Sequence, residues 1–125
     1  MNPLVIQIDE AQEYYTDERC HILELSNSSH DETLSIARAR VEPGITTAFH
    51  RVRDTAERYV ILSGQGSVDI EGLETTDVGV GDVVLIPPNA TQRIRNTGQD
   101  DLVFLALCTP RFIPNNYIHD ESETA

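Results

Sequence analysis

The chain has 125 residues, 39% of them hydrophobic and 24% charged, and a formal net charge of −12. That length holds one core rather than two, and its negative field repels phosphates, which excludes nucleic-acid binding through a basic surface. All nine basic residues are arginine, so Schiff-base chemistry on lysine, including that of pyridoxal enzymes, is excluded as well.

No apolar run approaches the roughly 20 residues needed to span a bilayer, so no membrane partner is expected. The opening "MNPLVIQIDEAQEYY" turns acidic too early for a secretory leader. Two cysteines, Cys20 and Cys108, do not make a disulfide framework. A reducing cytoplasm is the expected compartment.

In chain order, "IDEAQEYYTDE" is the only stretch with helical character, and it is short. Short alternating or β-branched runs then recur at spacings of about ten residues. They are "CHILELS", "TLSIARARV", "TTAFHRV", "ERYVILS", "GSVDIEG", "DVVLIPP", "TQRIRN" and "LVFLALC". Gly, Pro, Asn and Asp punctuate them at "VEPG", "SGQG", "VGVGD", "PPNA" and "NTGQDD". Many short strands so punctuated predict an all-β sandwich or barrel. The expected division is an N-terminal segment over 1–19, a barrel over 20–114 and a polar tail over 115–125 that frays.

Successive strand side chains point to opposite faces, so alternation also sorts the polar residues. With His50 inward, Ala48 and Val52 are inward too, and Phe49, Arg51 and Arg53 point away. Glu57, Tyr59 and Ile61 share one face of the next strand, opposite Arg58, Val60 and Leu62. Gln92 and Ile94 likewise oppose Arg93 and Arg95. Five arginines thus fall on outer faces, while His50, Glu57, Tyr59 and Gln92 converge on an apolar interior, as a binding cavity requires. In "SIARARV", Ala37, Ala39 and Val41 oppose Arg38 and Arg40, which places the arginines outward; turned inward, they would form an anion-binding wall. Val60 and Leu62 make their strand apolar on both faces, and a second subunit covering the outer one predicts a homodimer. His21, His30 and His119 have no paired ligand spacing and are assigned no role. Cys108 reads as a small buried hydrophobe.

Two long spaced patterns resemble the cupin family. The first family motif is glycine, five residues, His-x-His, three or four residues, Glu, six residues, glycine. Here it is Gly44, His50, Val52, Glu57 and Gly64, with valine at the second histidine position. The second motif is glycine, five residues, Pro-x-Gly, two residues, His, three residues, Asn. Here it is Gly81, Pro87, Asn89, Gln92 and Asn96, with asparagine for the inner glycine and glutamine for the histidine. The resemblance implies a double-stranded β-helix, a jelly-roll barrel of two antiparallel sheets. In the family, three histidines and a glutamate hold a metal inside the barrel. Its members include dioxygenases, isomerases, epimerases, lyases and storage proteins, so the fold leaves function open.

For the site, the resemblance implies metal ligation by His50, Glu57 and Gln92, a reduced set that would hold a divalent transition metal weakly because an amide oxygen is a poor substitute for imidazole. The same residues also read as a hydrogen-bonded polar cluster against an apolar wall at Val52. Without metal, a carboxylate beside His50 stabilises imidazolium and suits general acid/base work near neutral pH, with Glu57 as its partner and Tyr59 as a proton donor or carbonyl ligand. The leading expectation is a protein that binds a small organic molecule in the barrel and acts as an isomerase, epimerase or lyase through His50, Glu57 and Tyr59. The alternatives are a metal-dependent, oxygenase-like cupin using His50, Glu57 and Gln92, and a non-catalytic ligand-binding or storage module.

Overall fold

The structure is a computed structural model and describes residues 1–121. Among these residues eleven strands form: β1 (Tyr14–Tyr15), β2 (His21–Ser26), β3 (Ser35–Val41), β4 (His50–Val52), β5 (Ala56–Ser63), β6 (Gln65–Ile70), β7 (Leu73–Gly79), β8 (Val83–Ile86), β9 (Gln92–Asn96), β10 (Leu102–Thr109) and β11 (Tyr117–His119). One sheet has the order β1-β2-β3-β10-β5-β8 and the other β11-β4-β9-β6-β7. All pairings are antiparallel. The two sheets face each other as the jelly-roll that the family resemblance implied. No helix among the described residues is long and apolar enough to cross a membrane.

The punctuation works as turn chemistry. Gly64, between β5 and β6, has φ +88, and a Cβ there would lie 2.7 Å from the Asp101 carbonyl oxygen. Only glycine fits both the left-handed backbone and the close approach. Asn89 replaces the second motif's inner glycine and keeps the left-handed conformation at φ 69, which asparagine tolerates better than other side chains. Its Oδ1 also accepts a hydrogen bond from the Asp54 amide at 3.0 Å, tying this turn to the loop before β5.

The β3–β10–β5 register explains why the barrel is solid at one end and hollow at the other. Val41 pairs with Leu102, and the next inward level joins Ala39, Phe104 and Ile61. These pack with Val68, Ile70, Val84, Ile86 and Ile94 into the hydrophobic core. One level further on, Ala37, Ala106 and Tyr59 lie in a row across the three strands, and beyond that Ser35, Cys108 and Glu57. Small side chains at four of these six positions leave space that their neighbours cannot close, because packed strands move little.

Two local expectations change. The stretch read as helical forms only a 3-10 turn at Glu10–Gln12, followed by β1. None of that turn is buried, and so short a helix has no tertiary packing to offset its nucleation cost. Glu10 and Glu13 instead bind Arg38 and Arg40. The tail does not fray at 115: β11 pairs with β4, the Asn116 carbonyl accepts from the Arg53 amide at 2.7 Å, and the Asp120 amide donates to Phe49 at 2.9 Å. Residues 122–125 of the expected tail lie outside the described residues.

Candidate functional site

The hollow end of the barrel is a cavity of about 240 Å³. Its back wall is the inward face of β3, β10 and β5, and His50 and Val52 of β4 line the opposite side. The turn from Thr16 to Cys20 adds Glu18 and Cys20, and β11 adds Tyr117. The Cys20 carbonyl accepts from the Thr16 amide at 2.9 Å, and the Ala48 amide donates to the Glu18 carbonyl at 3.1 Å. Arg19 takes φ 69, donates through Nε to the Thr46 carbonyl at 2.9 Å and pairs with Glu121 at 2.7 Å. The Thr16–Cys20 turn and Glu121 thereby meet beside β4.

His50 is 5% exposed. Its Nδ1 lies 2.9 Å from the Ala48 carbonyl oxygen and 3.3 Å from Glu18 Oε2. A carbonyl only accepts, so Nδ1 carries hydrogen and the neutral ring has its lone pair on Nε2. No hydrogen bond to Nε2 forms among the described residues. The ring stacks on Tyr117, with centroids 5.0 Å apart and planes 16° from parallel. Glu18 also accepts from the Cys20 thiol at 3.3 Å and from the Tyr117 hydroxyl at 3.5 Å.

Across the cavity, Tyr59, Gln92 and Glu57 form a chain of hydrogen bonds. The Tyr59 hydroxyl donates to Gln92 Oε1, and Gln92 Nε2 donates to Glu57 Oε1 at 2.7 Å. Burial pushes the Glu57 carboxyl above its ordinary range, while nearby His50 and the Gln92 hydrogen bond pull it partly back. Burial also pushes the Tyr59 hydroxyl well up, and Glu57 adds to this, so Tyr59 keeps its proton. The Cys20 and Cys108 thiols are raised by burial too, with Glu18 acting on the first and Glu57 on the second. Both thiols are free and protonated, which makes them poor nucleophiles.

The structure therefore brings Glu57, Tyr59 and Gln92 into direct contact and sets His50 on the wall of the same cavity. The hydrogen-bond acceptor that orients His50 is the Ala48 carbonyl, and the carboxylate nearest its Nδ1 is Glu18, at 3.3 Å, rather than Glu57. Sequence reasoning missed Glu18, Cys20 and Tyr117. Glu18 and Cys20 flank a left-handed residue in a turn, where neither period marks an inward face. Tyr117 would have been found had "NYIH" been read as a strand. Cys108 is buried as expected, and its thiol also neighbours Glu57.

Arg38 and Arg40 point outward, to Glu10, Glu13 and Asp101, while Ala37 and Ala39 line the cavity. His21 pairs with Glu42 and His119 approaches Glu121, both outside the barrel. The family's metal does not match the side chains as placed. Val52 offers no donor atom, and the Gln92 amide oxygen is taken by Tyr59. Among the described residues no three His, Cys, Asp or Glu side chains converge as they would around an ion.

The cupin-domain family model matches residues 37–108. The uncharacterized protein MJ1618 of Methanocaldococcus jannaschii is 30% identical over 125 residues, covering 98% of this chain and 95% of its own. The oxalate-binding protein of Thermotoga maritima is 31% identical over 90 residues, 72% of this chain and 73% of its own. Among solved structures, a double-stranded β-helix protein from Klebsiella pneumoniae superposes with TM-score 0.73 at 14% identity, covering 87% of this chain and 90% of that one. With the family model spanning more than half of its length and a relative 30% identical along nearly all of it, the chain belongs to the cupin family.

Proposed function

We propose that the barrel binds a small organic molecule and that His50 transfers a proton on it, as an isomerase, epimerase or lyase does. The observation that carries this reading is the unpartnered Nε2 of a buried imidazole whose Nδ1 is held by the Ala48 carbonyl, with the Glu18 carboxylate 3.3 Å away. A ring oriented through one nitrogen and open through the other has the geometry of a general base. Glu57 supplies the matching acid, because burial favours its protonated form. His50 Nε2 takes a proton from the ligand and the Glu57 carboxyl gives one. The resulting imidazolium and carboxylate are reset by proton return through solvent. Tyr59 acts through Gln92 as a positioning residue, since its hydroxyl is spent on the amide that orients Glu57. The Thermotoga relative's name, an oxalate-binding protein, supports a small ligand in this barrel.

The homodimer belongs to this proposal as well. Leu62, Val83 and Leu85 are exposed, Leu85 at 70%, on the outer face of β5 and β8. Two buried, unpaired thiols suit a reducing cytoplasm.

The test is a thermal-shift screen of small metabolites, followed by incubation of each stabilising compound in D2O and NMR. The expected result is deuterium incorporation at carbon that His50→Gln abolishes while binding persists. Stabilising compounds that never exchange would leave a non-catalytic binding module. A stoichiometric transition metal in the purified protein, required for turnover, would favour the oxygenase-like alternative.

A further inference from the structure

We propose that the cavity takes an organic ammonium ion, an amine on an apolar body, and rejects carboxylates. This rests on the small-molecule reading above and specifies the ligand's class. Four carboxyl side chains line the cavity: Glu18 and Glu57 within it, and the exposed Asp17 and Glu24 towards solvent. None of the nine arginines lines it, and the chain has no lysine to do so. Even with Glu57 protonated, as its acid role requires, Glu18 and the solvent-facing Asp17 and Glu24 keep the lining negative, and any charge on His50 is already met by Glu18 at 3.3 Å. A carboxylate entering would meet like charges in a partly desolvated space with no guanidinium to receive it.

Hydrogen-bonding capacity points the same way. Apart from the carboxyl proton that Glu57 gives in the reaction, polar hydrogens at the cavity are committed: Tyr59 to Gln92, Cys20 and Tyr117 to Glu18, and Gln92 to Glu57. The open position is His50 Nε2, on a ring 5% exposed, and in the neutral ring it asks for a donor. An ammonium N–H supplies one, whereas a carboxylate has none.

The walls fit an apolar cation. The chain has four tyrosines, three phenylalanines and no tryptophan, and five of these rings line the cavity: Tyr14, Tyr59, Phe104, Phe112 and Tyr117. Aromatic faces carry partial negative charge and attract a desolvated cation, while their area buries its hydrocarbon part. A polyol or sugar would find too few free polar partners among these rings and the alanines between them.

The test is isothermal titration calorimetry of the wild-type protein with benzylamine, benzyl alcohol, benzoate and oxalate at neutral pH, with and without added Mn²⁺. Benzylamine is expected to bind about tenfold tighter than benzyl alcohol, and the two carboxylates more weakly than either. Glu18→Gln should narrow the gap between amine and alcohol at least several-fold; if that variant does not fold, the wild-type ranking decides the matter. Benzoate or oxalate binding as tightly as benzylamine, with or without Mn²⁺, overturns the ligand class and leaves the small-molecule reading standing. Failure of all four probes to bind overturns both.

Discussion

Removing the Tyr59 hydroxyl isolates one link of the buried network. Tyr59→Phe keeps the ring, which packs against Phe104 with centroids 4.5 Å apart, and so keeps most of the apolar burial. What it removes is the donor to Gln92 Oε1 on a side chain 2% exposed. An orphaned buried acceptor costs about 1–3 kcal/mol. For a domain of this size, an unfolding entropy near 2.1 cal/mol/K per residue turns that cost into a fall in Tm of roughly 4–11 °C. Urea and thermal denaturation followed by circular dichroism would measure it. The same substitution in a Gln92→Met background should cost little, because the acceptor is already gone, so the double-mutant cycle should show coupling of about 1–3 kcal/mol. A Tyr59→Phe cost below about 0.5 kcal/mol, or an equal cost in both backgrounds, would refute the hydrogen-bond chain and with it the positioning of Glu57.

Glu57 gives the protein a pH dependence of defined sign. Its folded-state value is raised from the ordinary 4.5, so the folded chain holds this proton more tightly and stability falls as pH rises from about 4.5 through the folded value. Glu57→Gln has no such proton, and its stability relative to wild type should grow with pH over that window; denaturation midpoints at several pH values that track in parallel would contradict the assignment. Val52→His with Gln92→His restores the family's histidine positions and frees Gln92's place from Tyr59. The pair should cost roughly 1–3 kcal/mol in packing yet bind a divalent transition metal more tightly than wild type by calorimetry, with His50→Ala abolishing the gain. Leu85→Lys should shift a dimer toward monomer in sedimentation velocity at micromolar concentration, and a wild-type monomer would remove the dimer from the proposal.

Short, punctuated runs indicated the all-β class, and alternation put His50 on one face with Val52, and Glu57 with Tyr59, because the strand period is a local property of the backbone. Asn89 was legible as the stand-in for a motif glycine through spacing, and its φ of 69 shows why asparagine serves there. Tertiary structure decided which polar groups pair. Gln92 looked equally able to ligate a metal or join a cluster, and only its position between Tyr59 and Glu57, on the opposite sheet, engages both ends of the amide. His50 was expected to work with Glu57, seven residues on, yet the carboxylate nearest its Nδ1 is Glu18, from a turn that no periodic pattern marks. Tyr117, in a segment polar enough to be dismissed, stacks on the same ring because β4 offers its edge to β11. Local sequence sets which way a strand residue points; which groups it meets depends on chain closure over long separations, where no short-range pattern exists to be read.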